Sequence, residues 1–136
     1  QREKASFLPE NFIPMMESGQ LQMINYGTLS PFPGIDIIYM DGHTEKQMLP
    51  VIRYKNTVIV FAADLIPSAG HIPLPYIMAY DTRPLISMSE KKAFLKTSVG
   101  KNYFLFFEHD PIYECCSLLE TEKGIRAKDF FKLSEI

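Results

Sequence analysis

The sequence predicts a domain that combines a few helices with a larger number of strands. From Leu21 onward, short apolar runs alternate with Gly, Pro, Asn and Asp, which is typical of strands joined by turns. Two other stretches carry apolar residues at helical spacing. The chain has 136 residues, 46% hydrophobic and 22% charged, which is enough for one packed core. We therefore predict one structural unit over residues 1–136.

The two helices are predicted near the start and in the second half of the chain. The first covers Glu10 to Glu17 and is followed by Gly19, a typical helix stop. The second is marked by Ser87-Met-Ser-Glu90, which has the form of a capping box. Its apolar face runs to about Ser98, and Gly100 ends it.

Five apolar runs predict strands, and a sixth strand is predicted near the end of the chain. Lys55-Asn56 is short enough to be the turn of a hairpin between the second and third strands. Residues 66–85 carry four prolines and no sustained periodicity, so they predict a long ordered loop of the kind that is often functional. The predicted strands are Ile35–Met40, Met48–Tyr54, Thr57–Ala63, Tyr103–Phe107 and Cys115–Glu120, with the last around Ile125.

Composition excludes several classes of partner. Sixteen acidic and fourteen basic residues give a formal charge of −2 without a basic cluster, which argues against nucleic acid. The longest apolar run, Thr57 to Ala63, is too short to cross a membrane, and no signal peptide is recognisable. The neighbouring Cys115 and Cys116 cannot easily bridge each other, so we expect reduced thiols and a cytoplasmic location. Because residues 1–19 resemble the end of a longer segment, we expect a fragment or a processed product.

Three of the predicted strands lead into a residue that can bind a metal ion. The residues are His43, Asp64 and His109, each after an apolar run. If these strand ends share one edge of a sheet, two imidazoles and a carboxylate converge, a ligand set suited to zinc or similar ions. The gaps of 21 and 45 residues are not a local metal motif, and each residue also suits an ordinary turn. On the residues alone, the turn interpretation is favoured.

Longer stretches around these residues resemble a known family. Asp41-Gly-His-Thr-Glu-Lys-Gln47, Phe61-Ala-Ala-Asp-Leu-Ile-Pro67 and Phe107-Glu-His-Asp-Pro111 look like the second half of metallo-β-lactamase-superfamily hydrolases in type, order and spacing. The Pro-rich stretch Ile66–Asp81 resembles a loop of the lactonase-like members. The resemblance implies an α/β (α+β) fold, namely half of an αββα sandwich with a mixed, mostly antiparallel sheet and flanking helices.

The resemblance also implies a cofactor and roles for individual residues. His43 would complete a first metal site, Asp64 would bridge two metals, and His109 would complete the second site. The implied cofactor is Zn²⁺, two ions per complete domain, with Fe²⁺ or Mn²⁺ as alternatives. The implied reaction is hydrolysis of an ester, lactone, lactam or related bond in a small-molecule substrate. His71, on the Pro-rich loop, is a candidate for contact with the substrate or the ligands, or for a loop-anchoring hydrogen bond.

Two departures from the family pattern matter. Asp41 stands where many members have proline, which concerns the turn alone. The His-x-His-x-Asp-His motif, which supplies most other ligands and the catalytic aspartate, is absent from this sequence. We therefore expect no catalytic residue here beyond the metal ligands, and an isolated chain that is inactive without the N-terminal half of the same domain.

Two other interpretations remain open at this point. The chain could be a non-catalytic binding or scaffold module built on the same fold. It could also be an unrelated α+β domain, which predicts that His43, Asp64 and His109 lie far apart. A half-domain with an uncovered apolar sheet face would in addition be prone to form a homodimer.

Overall fold

A computed structural model describes residues 7–136, so the predictions for residues 1–6 lie outside the described part of the chain. Between residues 7 and 136, no helix has the length and apolar character needed to cross a membrane. Short 3-10 turns cover Ala63–Leu65, Ala69–His71 and Leu133–Glu135. The helices and strands are α1 (Pro9–Glu17), β1 (Ile35–Met40), β2 (Gln47–Tyr54), β3 (Thr57–Phe61), α2 (Pro84–Gly100), β4 (Phe104–Phe106), β5 (Cys115–Thr121) and β6 (Gly124–Phe131).

The strands form one six-stranded sheet in the order of the chain, from β1 to β6. All neighbouring strands are antiparallel except β3 and β4, which pair in parallel, Ile59 with Phe104 and Phe61 with Phe106. A parallel pair needs a long crossover, and here the crossover contains the Pro-rich loop and α2. The prediction of a mixed, mostly antiparallel sheet is confirmed.

One face of the sheet carries the hydrophobic core. Leu49, Val60 and Leu105 are completely buried and belong to the same cluster as Phe94 and Leu95 of α2. The crossover loop contributes Ile66 and Ile72, which are 0% and 1% exposed. The core therefore fixes both α2 and the loop against the sheet, which is the largest source of stability for the crossover.

The opposite face of the sheet is also apolar but is more exposed. In β2 the pattern alternates, with Leu49 and Val51 buried while Met48 is 47% and Tyr54 44% exposed. A groove on this face is lined mostly by partly exposed apolar side chains, namely Ile52, Tyr54, Ile59, Phe61, Phe106 and Leu133. Exposed apolar side chains grouped in this way favour contact with another apolar surface.

The predicted strand positions agree with the structure to within two residues, but the start of α2 was predicted wrongly. The helix begins at Pro84, before the supposed capping box, and Arg83 is its N-cap. Proline suits the first helical position because its missing N–H is not needed there. Ser87 lies inside the helix, where its Oγ is 3.4 Å from the Arg83 carbonyl oxygen, and Glu90 bonds to another part of the chain.

Gly42 is required by a close approach between the turn after β1 and α2. A Cβ at this position would lie 2.5 Å from Ser87 Cα and closer still to Ser87 N. Because both atoms belong to a helix backbone, neither can move without shifting α2. The turn that carries His43 is therefore pressed directly onto the first turns of the helix.

The replacement Gly42→Ala is expected to destabilise the chain by at least about 2 kcal/mol, because it overpacks a backbone contact. Gly100→Ala is the matched control, since its Cβ would meet nothing within 4 Å. This control should be neutral or stabilising by up to about 1 kcal/mol, because alanine is the better helix former. Urea unfolding of both variants measures the difference, and equal free energies of unfolding would contradict the close contact.

The two cysteines are expected to be unreactive in the folded chain. Both are 0% exposed. Burial raises the pKa of the Cys115 thiol to about 11 and that of Cys116 to about 12. Relative to an ordinary thiol, the reactive thiolate at pH 8 is reduced roughly 100-fold or more. Iodoacetamide labelling followed by mass spectrometry should be slow in buffer and fast in denaturant, and equal rates would refute this burial.

Candidate metal centre

The three strand ends that carry His43, Asp64 and His109 lie at one edge of the sheet. β1 and β3 run in the same direction because both are antiparallel to β2, and β4 is parallel to β3. Each of the three residues comes three positions after the last residue of its strand, Met40, Phe61 or Phe106. The common direction of the strands therefore brings the side chains together.

Asp64 lies between the two imidazoles. Its Oδ2 is 3.2 Å from His43 Nε2, and its Oδ1 is 3.3 Å from His109 Nε2. The side chains are 13% exposed for His43, 25% for Asp64 and 55% for His109. Each oxygen of one carboxylate thus faces a different histidine, which is an arrangement suited to a carboxylate that bridges two cations.

The other ring nitrogen of His43 meets a second carboxylate. His43 Nδ1 is 2.8 Å from Asp81 Oδ1, and the Asp81 side chain is only 3% exposed. A neutral His43 that donates its Nδ1–H to Asp81 must direct the lone pair of Nε2 towards Asp64. Two electron-rich atoms at 3.2 Å repel each other unless a positive charge lies between them. The arrangement therefore calls for a proton or a metal ion at this position.

The backbone of the His43 turn is held on both sides. The Glu90 carboxylate accepts the N–H of Asp41 at 2.8 Å and that of Gly42 at 3.0 Å. Thr82 N donates to the His43 carbonyl oxygen at 3.1 Å, and Arg83 N donates to Gly42 O at 2.9 Å. The turn is thus attached to α2 and to the residues that immediately precede it.

Asp64 and His109 are held by bonds between the ends of β3 and β4. Ala62 N donates to Phe106 O at 2.9 Å, and His109 N donates to Pro67 O at 2.9 Å. Strand β3 ends at Phe61, two residues earlier than predicted, because the chain turns at Ala63, which has a φ of +43°. This tight turn directs Asp64 from the end of the strand towards the two histidines.

Glu108 and Asp110 flank His109 and differ in role. Partial burial raises the pKa of Asp110, but bonds from the backbone N–H groups of Tyr113, Ala69 and Ile112 lower it below its usual value overall. These bonds of 2.8–2.9 Å make Asp110 a turn residue. Glu108 Oε1 is 3.9 Å from His109 Nε2, and ligand atoms of Asp64, Glu108 and His109 lie within 4.8 Å of one another.

His71 lies on the crossover loop, and its partner in the structure is local. Its Nδ1 is 2.8 Å from Ser68 Oγ, and its backbone N donates to Ser68 O at 2.9 Å. Burial, followed by the charge of Lys91, lowers the pKa of His71 below the usual value. The structure thus gives His71 a loop-anchoring bond, and a contact with substrate remains a prediction.

Comparison with known proteins gives structural matches alone. No family model matches the sequence, and no curated protein matches it. A probable metal-dependent hydrolase from Staphylococcus aureus is 23% identical with a TM-score of 0.73, over 84% of this chain and 40% of that chain. The hydrolase AbOPH of the beta lactamase superfamily is 16% identical with a TM-score of 0.77, over 91% and 43%. AidC, a dizinc quorum-quenching lactonase, is 21% identical with a TM-score of 0.70, over 97% and 48%.

These matches settle the fold. At identities below 25% they show common architecture, and the chain has part of the fold of the beta lactamase superfamily hydrolases. The fold prediction is confirmed, and His43, Asp64 and His109 lie close together, contrary to what the interpretation as an unrelated α+β domain predicts. The chain spans 40–48% of the length of these three structures.

Replacing Asp81 by Asn is expected to weaken binding of a divalent cation by 10–100-fold, because the amide no longer fixes the tautomer of His43. Asp129→Asn is the matched control, since Asp129 is exposed and distant in sequence from the site. Competition of the chain with a chromogenic chelator for Co²⁺ measures both affinities. Equal affinities of the two variants would show that Asp81 does not support the site.

Proposed function

We propose that this chain is the C-terminal portion of a metal-dependent hydrolase that uses a metal-activated water on an ester, lactone, lactam or related bond of a small molecule. The observation that carries the proposal is the position of Asp64, whose two oxygens face His43 and His109 at 3.2 and 3.3 Å. The architecture it shares with a dizinc lactonase and with a probable metal-dependent hydrolase supports it. Fold alone does not select the substrate.

The donor atoms fit the ions that this function needs. Ligand atoms 2.0–2.2 Å from one tetrahedral ion lie about 3.3–3.6 Å from each other, close to the separations between Asp64 and the two histidines. Imidazole nitrogen and carboxylate oxygen suit Zn²⁺, and they also accept Fe²⁺ or Mn²⁺. We propose two ions per complete domain, with Asp64 as the shared ligand.

When bound, such ions polarise a carbonyl or phosphoryl oxygen and lower the pKa of water to about 7. The residues of this chain prepare the site for them. Asp81 accepts the Nδ1–H of His43 and so keeps the Nε2 lone pair free to bind. The low exposure of Asp81 and His43 limits competition from solvent for this hydrogen bond. Asp64 supplies the negative charge that offsets part of the charge of both ions.

The chain supplies too few ligands to be a complete enzyme. One ion would be bound by His43 and Asp64 and the other by Asp64 and His109, whereas zinc sites in proteins use three or four ligands. We therefore propose that the isolated chain is inactive and that the N-terminal half of the same domain supplies the remaining ligands. Glu108 is the one further group near His109 in residues 7–136 that could hold an ion weakly without that half.

The same half would cover the exposed apolar face of the sheet. Without it, contact between two copies of the groove around Ile52 and Phe106 would produce a homodimer. A lactone is the first substrate to test, because AidC is a lactonase that binds its product. His71 is proposed as a contact for substrate at the loop. The free thiols of Cys115 and Cys116 support a cytoplasmic location.

The first test is the metal content of the purified chain by inductively coupled plasma mass spectrometry, with the native mass of the same sample. We expect less than one tightly held ion per isolated chain, and two per chain in the longer protein that includes the N-terminal half. Robust hydrolysis by the isolated chain would overturn the proposed inactivity. A longer protein without metal would overturn the enzyme proposal and favour a non-catalytic binding or scaffold module.

In the longer protein, Asp64→Asn is expected to lower kcat/KM for a lactone substrate by more than about 100-fold, because a neutral amide oxygen does not bridge two cations well. Asp129→Asn makes the same change of charge at an exposed position and should leave kcat/KM unchanged. Metal analysis of both variants connects loss of activity to loss of an ion. Full activity of the Asp64→Asn variant would exclude the bridging role.

A further inference from the structure

Lys91 is a buried cation in the middle of the core side of α2. It is 0% exposed and is the largest completely buried side chain among residues 7–136. Its Nζ donates to Pro73 O at 2.9 Å and to Tyr76 O at 2.8 Å, both in the crossover loop. Burial lowers the pKa of Lys91 to about 8, and Asp81 opposes this shift. With no solvent exposure, the amine has no path to a substrate and so does not act as a nucleophile.

Stability alone does not explain this lysine. Desolvating an ammonium group costs several kcal/mol, and an apolar residue of similar volume would often stabilise the fold at least as well. An apolar residue, however, could not donate hydrogen bonds to the two loop carbonyl oxygens. These carbonyls belong to residues eight and five positions before Asp81, the partner of His43. The bonds therefore fix the segment that delivers the Asp81 carboxylate.

Glu90, which precedes Lys91 on α2, bonds to the turn that carries His43. Its two carboxylate oxygens accept the backbone N–H groups of Asp41 and Gly42 at 2.8 and 3.0 Å. A carboxylate that accepts two successive N–H groups fixes the orientation of the peptide planes, and His43 is the next residue. The turn is thus aligned by a bidentate contact as well as by its packing on Ser87.

We propose that Glu90 and Lys91 are positioning residues, which hold the His43 turn and the Asp81 loop from adjacent positions of α2 so that Asp81 meets His43 Nδ1. The inference deepens the proposed function and rests on it, because it explains how Nε2 is kept free for a metal ion. The helix serves as a rigid template with one charge for each of the two segments. Loss of either contact lets Asp81 and His43 move apart without removing a ligand.

The test measures the His43 Nδ1–H proton in the metal-free chain at pH 7, by ¹H–¹⁵N correlation of the imidazole groups and by the rate of its exchange with solvent. Single replacements of His71 and His109 assign the signals. In the wild-type chain, this proton is expected to be shifted downfield and to exchange slowly, because it is hydrogen-bonded to Asp81. In Glu90→Gln and Lys91→Met, it is expected to exchange rapidly and to lose the downfield shift. Lys92→Met is the matched control, since Lys92 is exposed on the same helix, and it should retain the slowly exchanging proton.

A purely structural role would lower the thermal midpoint of the two variants and leave the shift and exchange rate of the His43 Nδ1–H proton unchanged, and that result would overturn the inference. If Lys91→Met fails to fold, as shown by circular dichroism, Glu90→Gln decides, because Glu90 is only partly buried. The measurement needs no metal ion. A longer protein that binds no metal would thus refute the proposed function, whereas an unchanged His43 Nδ1–H signal would refute the positioning role.

Discussion

The parallel pairing of β3 with β4 is the constraint on which the rest of the structure depends. It places the ends of β1, β3 and β4 at one edge of the sheet, where His43, Asp64 and His109 meet. It also forces the chain to cross over the sheet before β4 begins. That crossover covers the core face of the sheet, and it contributes Asp81, Glu90 and Lys91. The site and the core are therefore consequences of the same connection.

The core contains polar residues whose burial costs desolvation free energy. Asp81 and Lys91 are 5% and 0% exposed in a core built mainly from aliphatic and aromatic side chains. Asp81 bonds to His43, and Lys91 bonds to the crossover loop. Burying these groups costs stability, but it fixes the positions of the segments near the histidines. This resembles the general trade between stability and the rigid placement of functional groups. The chain tolerates it because the apolar cluster around Leu49, Val60 and Leu105 is continuous.

The sequence was informative about groups that follow a strand and uninformative about groups that depend on tertiary contact. His43, Asp64 and His109 could be recognised because apolar runs precede them, although the resemblance was needed to prefer metal binding over turns. Asp81 and Lys91 carry no local signal, since a loop aspartate and a helix lysine are ordinary. Glu90 gave a misleading signal, because its spacing from Ser87 matches a capping box. The helix begins at Pro84, so Glu90 lies in its second turn and not at a capping position. The Glu90 carboxylate therefore bonds to the turn after β1.

The small ligand set of the proposed metal centre and the exposed apolar face of the sheet have a common geometric origin. His43, Asp64 and His109 lie at one edge of the sheet, with His109 55% exposed, and the apolar groove around Tyr54 and Phe61 lies on the sheet face opposite the core. A second layer packed on that face would also reach the strand ends where His43, Asp64 and His109 lie. Under the proposed function, one added element would therefore bury the groove and supply further ligands together. Metal affinity and the burial of Tyr54 and Phe61 are thus expected to change in step.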